Sequence, residues 1–338
     1  MNINTLSSKN HSIETLRAAA VILVFINHLH SLNVVSIPYF GVVGGWIGVQ
    51  IFFVISGYLI IQSALRYSAG DYIKQRVFRI YPAYLFWFVL FSFVFGQFQS
   101  DSVDFKSLLI HLLFLQHFFP EAYLKYNALS VSWTLTIEVV WYVIAFLIAT
   151  RFVKNPSKIT AGFVLVACIW VYGGTKWHPL VDSMEGIYVY FFVHNNAIAQ
   201  MPFFVFGAWI AVKQPKYDKA ALLAIFISTV VLFKSWEPVF PSPIFLTGLG
   251  VSALFLILEN NDYKNPKSVK ILSDISYSFY LIHYPVIVLS SQFVDNKYHQ
   301  MFLALFATVI LSYMSYRLIE QPFMNMAKKK PKTILVAQ

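Results

Sequence analysis

Of 338 residues, 58% are hydrophobic and only 12% charged, with 33 Phe and a mean hydropathy of +0.63; this excludes a water-soluble globular domain and indicates a polytopic membrane protein. The net charge of +10 does not imply nucleic acid, because the cations fall between apolar runs rather than on one soluble surface. A single cysteine, Cys168, excludes an internal disulfide framework and leaves the redox compartment unread.

Apolar runs occur at residues 13–33, 44–65, 80–98, 106–119, 131–150, 157–174, 199–213, 219–235, 240–259, 274–292 and 300–320. Residues 1–12 are polar and no cleavable signal peptide is evident. If every run crossed the membrane from a cytoplasmic N-terminus, Arg151, Lys154 and Lys158 would face outward, against the positive-inside rule. The run 106–119 is too short for a bilayer core of ~30 Å. Reading it as a re-entrant or surface helix on the outer side puts all but five of the 25 cations inside, leaving Lys106, Lys125, Lys176, Lys234 and Lys297 outside. The expected fold is therefore all-α: a membrane helix bundle of about ten transmembrane helices plus one short helix, with both termini cytoplasmic. Outer segments at 99–130 and 175–198 are the longest, the second carrying His178, Asp182, Glu185 and His194, and the chain is expected to end in a basic tail without an appended soluble domain.

Ionisable residues within apolar runs are costly and mark candidate sites. Arg17 and His28 lie on the first run, eleven positions apart, hence on one helix face and roughly 16 Å from each other. A neutral imidazole such as His28 can accept a proton from a hydroxyl; an interhelical hydrogen bond is the plainer alternative. Glu138 enters the membrane within Ser132-Trp133-Thr134-Leu135-Thr136-Ile137-Glu138 at a depth similar to His28, where a carboxylate can orient an imidazole. Trp133 alone fits an interfacial anchor. Arg76 and Arg79, three apart, present two guanidinium forks on one face near the inner surface, suited to phosphate, although any cytoplasmic loop is basic. Gly45 to Tyr58 is rich in small residues that allow close helix packing. Pro285, two residues after His283, is expected to bend its span. His28 with His30, and His111 with His117, lack metal-ligand spacing, so no metal is expected.

Taken in order, these stretches resemble the membrane-bound acyltransferase-3 family, integral-membrane O-acyltransferases of bacterial glycans, essentially end to end. The resemblance rests on Arg17 with His28 and the preceding Glu14, on Phe52 to Gly57, Arg76 to Pro82, Trp133 to Glu138, Ile275 to Pro285, and Ile319 to Phe323. The chain departs from the family where Leu16-Arg17-Ala18 replaces the usual Leu-Arg-Gly, and the soluble domain of some members is not expected.

What the resemblance implies is an acyltransferase-3 transmembrane domain at 1–325 and a basic cytoplasmic tail at 326–338, in a bacterial cytoplasmic membrane. It implies an acyl-CoA donor, most often acetyl-CoA, entering from the cytoplasm, and a hydroxyl of a lipid-linked or exported sugar as acceptor. Under it, His28 and Glu138 are catalytic, Arg17, Arg76 and Arg79 bind the donor, Ser132, Trp133 and His283 bind substrate, and Glu14 and Glu320 give structural support. Direct attack on the thioester and an acyl-His28 intermediate both remain open. So do a glycolipid flippase lined by the same polar residues, and a scaffold within a glycan-assembly complex.

Overall fold

A computed structural model describes residues 11–98, 103–177, 192–234, 242–259 and 263–329. The residues His178, Asp182 and Glu185 and the end of the basic tail lie outside the described residues. In chain order the helices are α1 (His11–Ser31), α2 (Phe40–Arg66), α3 (Ala69–Val94), α4 (Phe105–Leu112), a 3₁₀ turn (Gln116–Phe118), α5 (Pro120–Lys125), α6 (Trp133–Lys154) and α7 (Pro156–Trp177). They continue as α8 (Ala197–Lys213), α9 (Lys219–Lys234), α10 (Ser242–Glu259), α11 (Lys267–Asp274), α12 (Ser276–Ser290) and α13 (Lys297–Ser315). A π-helical turn (Tyr316–Glu320) then leads into α14 (Gln321–Ala327).

No strand occurs among the described residues. Six helices there are long and apolar enough to cross a membrane, α1, α2, α3, α6, α7 and the continuous Lys297–Ala327 segment, with α11 and α12 together forming a seventh, bent candidate. The helices α8, α9 and α10 follow the expected apolar runs but are shorter.

Glycine spacing sets the central packing. A Cβ on Gly44 or Gly48 would collide with the α1 backbone at Leu23 and Ala20, so α1 and α2 meet backbone to backbone. Gly57 faces the backbone of Phe204, and Gly207 that of Val54, which closes α2 on α8 in the same way. Beside this crossing Phe53 stacks on Phe204 at 4.5 Å between centroids. Removing side chains at these points is what brings Ser56, the neighbour of Gly57, within reach of α6.

Two expectations change. The run 106–119 is not one helix: α4 ends at Leu112, and Phe114 takes a left-handed φ of 55°. That turn places the Phe114 ring against Tyr84 (4.6 Å) and Tyr81 (4.9 Å), so burial of one aromatic ring outweighs helix continuation. The expected bend at Pro285 is likewise displaced. Helix α12 runs through Pro285, and the 73° bend lies between α11 and α12, at Ile275. Pro285 lacks only the donor to the carbonyl one turn back, which a helix can tolerate among close neighbours.

Short polar caps begin several helices. Asp104 accepts hydrogen bonds from the Ser107 backbone N–H (3.1 Å) and hydroxyl (2.6 Å) at the start of α4. Those bonds hold its carboxyl down to about 2. The Asn196 side chain caps α8 through Ala199 N–H at 2.9 Å, and Asn296 caps α13 through Tyr298 N–H at 3.0 Å.

Candidate active site

The N-terminal end of α1 is fixed by Asn265, whose amide donates to Glu14 Oε2 (3.0 Å) and to the His11 carbonyl (2.8 Å). Thr15 Oγ1 donates to Asn265 Oδ1 at 2.8 Å. Glu14 thus lies outside the cavity and ties α1 to the segment before α11. One turn on, Arg17 points into the bundle.

Arg17, Arg76 and Arg79 line one wall of a cavity formed by α1, α2, α3, α6 and α12. They also line a wider chamber of about 470 Å³, with Arg66, Asp274, Lys328 and Lys329, at the end of the bundle where α2 stops and α3 starts. The two spaces share all three arginines and Leu59, so they adjoin along a basic passage, about 470 Å³ at that end and about 100 Å³ inside the bundle.

The three guanidiniums are held differently. Arg79 Nη1 donates to Glu320 Oε2 at 3.0 Å and its fork lies over the Tyr277 ring at 5.4 Å. The buried Glu320 is fixed by Ser278 Oγ, which bonds Glu320 Oε1 (2.5 Å) and Ser315 Oγ (2.6 Å), while Trp87 Nε1 also donates to Ser315 (2.9 Å). The π turn supplies the extra residue that aims Glu320 inward. Arg76 sits between the rings of Tyr72 and Tyr142, at 5.8 and 5.6 Å, and its Nε is buried without a partner. Arg17 makes no hydrogen bond and no ion pair with any described residue. Three half-buried cations facing Glu320 and Glu138 leave a positive excess and unused donors, which suits an anion with several acceptor oxygens.

Glu138 accepts hydrogen bonds from Ser56 Oγ and from Tyr142 Oη, both at 2.8 Å to Oε1, and lines this basic cavity. The sequence expectation that it supports His28 is corrected here. His28 is instead served by His283, with Nδ1 to Nε2 at 2.7 Å and ring centroids 4.9 Å apart. The ring of Tyr284 closes on His28 edge-on at 5.1 Å.

This pairing sets the tautomers. His283 Nδ1 faces the carbonyls of Tyr280 (2.8 Å) and Phe279 (3.1 Å), which only accept, so His283 is protonated at Nδ1 and its Nε2 carries the lone pair. His28 must then donate from Nδ1, which leaves His28 Nε2 as a free acceptor. The arrangement is that of a base oriented by a second group, with an imidazole in the orienting role.

The basic passage and the histidine pair meet at Tyr280. Its ring lines the inner end of the cavity with Phe52 and Thr134, and lies 5.8 Å from His283. Thr134 Oγ1, bonded to Tyr280 Oη at 3.1 Å, holds it in place.

Ser132 and Trp133 stand further out. The Ser132 carbonyl accepts from Gln116 Nε2 at 3.0 Å, and the Trp133 ring lies 5.6 Å from His117. The structure brings Arg17, Arg76, Arg79 and Glu138 together, pairs His28 with His283, and leaves Ser132 and Trp133 in the outer layer. Sequence reasoning missed Ser56, Tyr142, Tyr277 and Tyr280 as site residues. Tyr280 was within reach, since it sits three positions before His283 and so shares its helix face. Among the described residues no group of three or more His, Cys, Asp or Glu side chains is placed to hold a metal.

The described residues thus hold a guanidinium-rich cavity whose lining Tyr280 stands beside a histidine pair. The acyltransferase-domain model matches residues 10–317, and the chain belongs to this family, acyltransferase-3. It is 24% identical to a protein of Komagataeibacter xylinus provisionally named membrane-bound transacylase BcsY, over 96% of this chain and 85% of that one. It is 26% identical to the O-acetyl transferase of Shigella phage Sf6, over 95% of this chain and 98% of the other. Against peptidoglycan O-acetyltransferase OatA of Listeria monocytogenes the identity is 27%, over 92% of this chain but 55% of OatA, so the chain spans about half of that relative. No solved structure matches. The family is one of acyltransferases, and the two last-named relatives carry the name of O-acetyltransferases.

Proposed function

We propose that this protein transfers an acyl group, acetyl first among them, from acyl-CoA to a hydroxyl of a lipid-linked or exported bacterial glycan. The reading is carried by the passage whose arginines lead to Tyr280 and the His28–His283 pair. In it, the chain crosses a bacterial cytoplasmic membrane about ten times with both termini inside, so the wide basic chamber opens toward the cytoplasm. Arg17, Arg76 and Arg79 hold the phosphates of the nucleotide end, and the slender pantetheine arm reaches inward past Glu138. The thioester then lies at the Tyr280 end.

The acceptor hydroxyl approaches His28 Nε2, which takes its proton as the oxygen attacks the thioester carbonyl. The tetrahedral intermediate collapses with cleavage of the carbon–sulfur bond, and the CoA thiolate recovers the proton from His28. The products are the O-acyl ester and free CoA thiol, with His28 regenerated. His283 keeps the His28 lone pair on Nε2 throughout and stabilises the imidazolium by accepting from its Nδ1–H.

Mass spectrometry of surface polysaccharide from wild-type and deletion cells tests the reaction. Loss of O-acetyl esters with glycan export intact is the expected result. Loss of export with unchanged esterification would instead identify a flippase. With purified enzyme, isotopic label from acetyl-CoA remaining on His28 in the absence of acceptor would overturn direct attack.

A further inference from the structure

A second cavity lies away from the acyl-transfer site, among α7, α8, α9 and α10. It has a volume of about 360 Å³ and is almost wholly apolar, with Trp209, Leu222, Leu256 and Tyr217 on its walls. Two hydroxyls break that wall, Thr160 Oγ1 and Ser252 Oγ, on residues 8% and 9% exposed, and neither has a hydrogen-bond partner. Buried hydroxyls without partners are uncommon and call for an acceptor or donor in the space they line.

The position of the cavity is fixed by its helices. Trp209 Nε1 donates to Ser157 Oγ at 3.1 Å, so the end of α8 lies beside the start of α7. The start of α9 and the end of α10 contribute Leu222 and Leu256 at the same end of the bundle. That end carries the exposed Lys154, Lys158, Lys213 and Lys216, with Tyr217 between the lysine cluster and the cavity. The acidic residue in the same loop, Asp218, accepts from the Ala220 N–H at 2.6 Å and caps α9. Sideways, Ile225 and Leu249 are exposed, at 44% and 45% respectively.

We infer that this cavity binds an anionic phospholipid of the lysine-bearing leaflet. An acyl chain enters between α9 and α10 and fills the apolar space. The ester carbonyls accept from Thr160 and Ser252, and the phosphate meets the lysines at the rim. A basic rim over an apolar slot with aromatic side chains at the boundary is the chemistry that selects such lipids. A neutral lipid would fill the slot but leave the rim unused. This inference is independent of the acyl-transfer reading, because no residue of the slot belongs to the arginine passage.

The full-length protein, reconstituted in nanodiscs of equal phosphatidylglycerol and phosphatidylcholine and then released gently, tests it by native mass spectrometry. Retained lipid is expected to favour phosphatidylglycerol by at least about fivefold. The triple variant Lys158→Gln, Lys213→Gln, Lys216→Gln should lose that preference, and Ala253→Phe, which fills the slot, should lose retained lipid of both kinds. Equal retention of the two lipids by wild type, undiminished preference in the triple variant, or retention by folded Ala253→Phe overturns the inference. If Ala253→Phe fails to fold, the lysine variant decides, since it changes only exposed side chains.

Discussion

Two regions of the molecule bury histidines, and they do so to different ends. In the outer layer between α3 and α6, His111 donates from Nε2 to the Ala122 carbonyl at 3.0 Å and stacks on Phe88 at 5.1 Å. His117 is enclosed by the rings of Trp133, Tyr123 and Phe192. In the bundle, His28 gives one nitrogen to His283, whose ring lies beside the cavity-lining Tyr280. The difference lies in the partners: backbone and aromatic rings take up the imidazoles of the outer layer, whereas a second imidazole takes one nitrogen of His28.

The sharpest way to break the comparison is to remove the free nitrogen. His28→Gln should lower transfer by about a hundred- to ten-thousandfold with donor binding retained, measured as ester formation alongside acetyl-CoA affinity. His111→Gln should leave transfer within a few-fold of wild type, because the Gln amide can still donate to Ala122. Comparable losses in both variants would erase the distinction between the two regions.

His283→Gln comes next. It retains a side chain able to bond His28 but no longer enforces one tautomer, so kcat should fall by roughly tenfold to a hundredfold with the donor KM unchanged. A pH–rate profile separates orientation from structure: the apparent pKa of the base should shift in His283→Gln, whereas a merely loosened bundle would lower the rate without moving the profile.

Arg17→Ala should act on the donor instead. Loss of a charge-assisted phosphate contact of about 1.5–3 kcal/mol corresponds to a rise in acetyl-CoA KM of roughly ten- to a hundredfold. Arg79→Ala mixes two effects, since it also strands the buried Glu320, and a double variant with Glu320→Gln should recover folding but not donor affinity. Equal acetyl-CoA affinity in Arg17→Ala and wild type would remove the phosphate assignment.

What the sequence revealed follows from local cost. A guanidinium in an apolar run is expensive wherever it sits, so Arg17, Arg76 and Arg79 stood out, and their meeting in one passage needed only the helix ends to come together. The apolar runs likewise matched the helices closely, because hydrophobic length is a one-dimensional property. Partners were not legible in the same way. His28 and His283 are 255 positions apart, and nothing local says that α12 rather than α6 faces α1 at that height. Depth alone favoured Glu138, but the Gly57–Phe204 approach brings Ser56 to that carboxylate and draws it into the arginine cavity. Phe114 escaped notice because its left-handed turn is set by the aromatic surface of α3, not by its own preference.

The smallest expected effect concerns the outer layer and its response to acid. Burial pushes His111 down to about 4 and His117 down to about 3, so both imidazoles are neutral in the folded protein near pH 7. In the unfolded chain they titrate near ~6.5. Below that value the unfolded state binds protons that the folded layer refuses, so stability is fully present above pH ~6.5 and declines as pH falls toward the folded values. Each residue contributes at most about 1.4 kcal/mol per pH unit across that window. The melting temperature in detergent should therefore drop between pH 7 and pH 5, and His111→Gln should drop less, since one of the two proton sinks is gone. An identical decline in both proteins would mean that the outer layer opens before the bundle unfolds, and that its histidines do not report on the global transition.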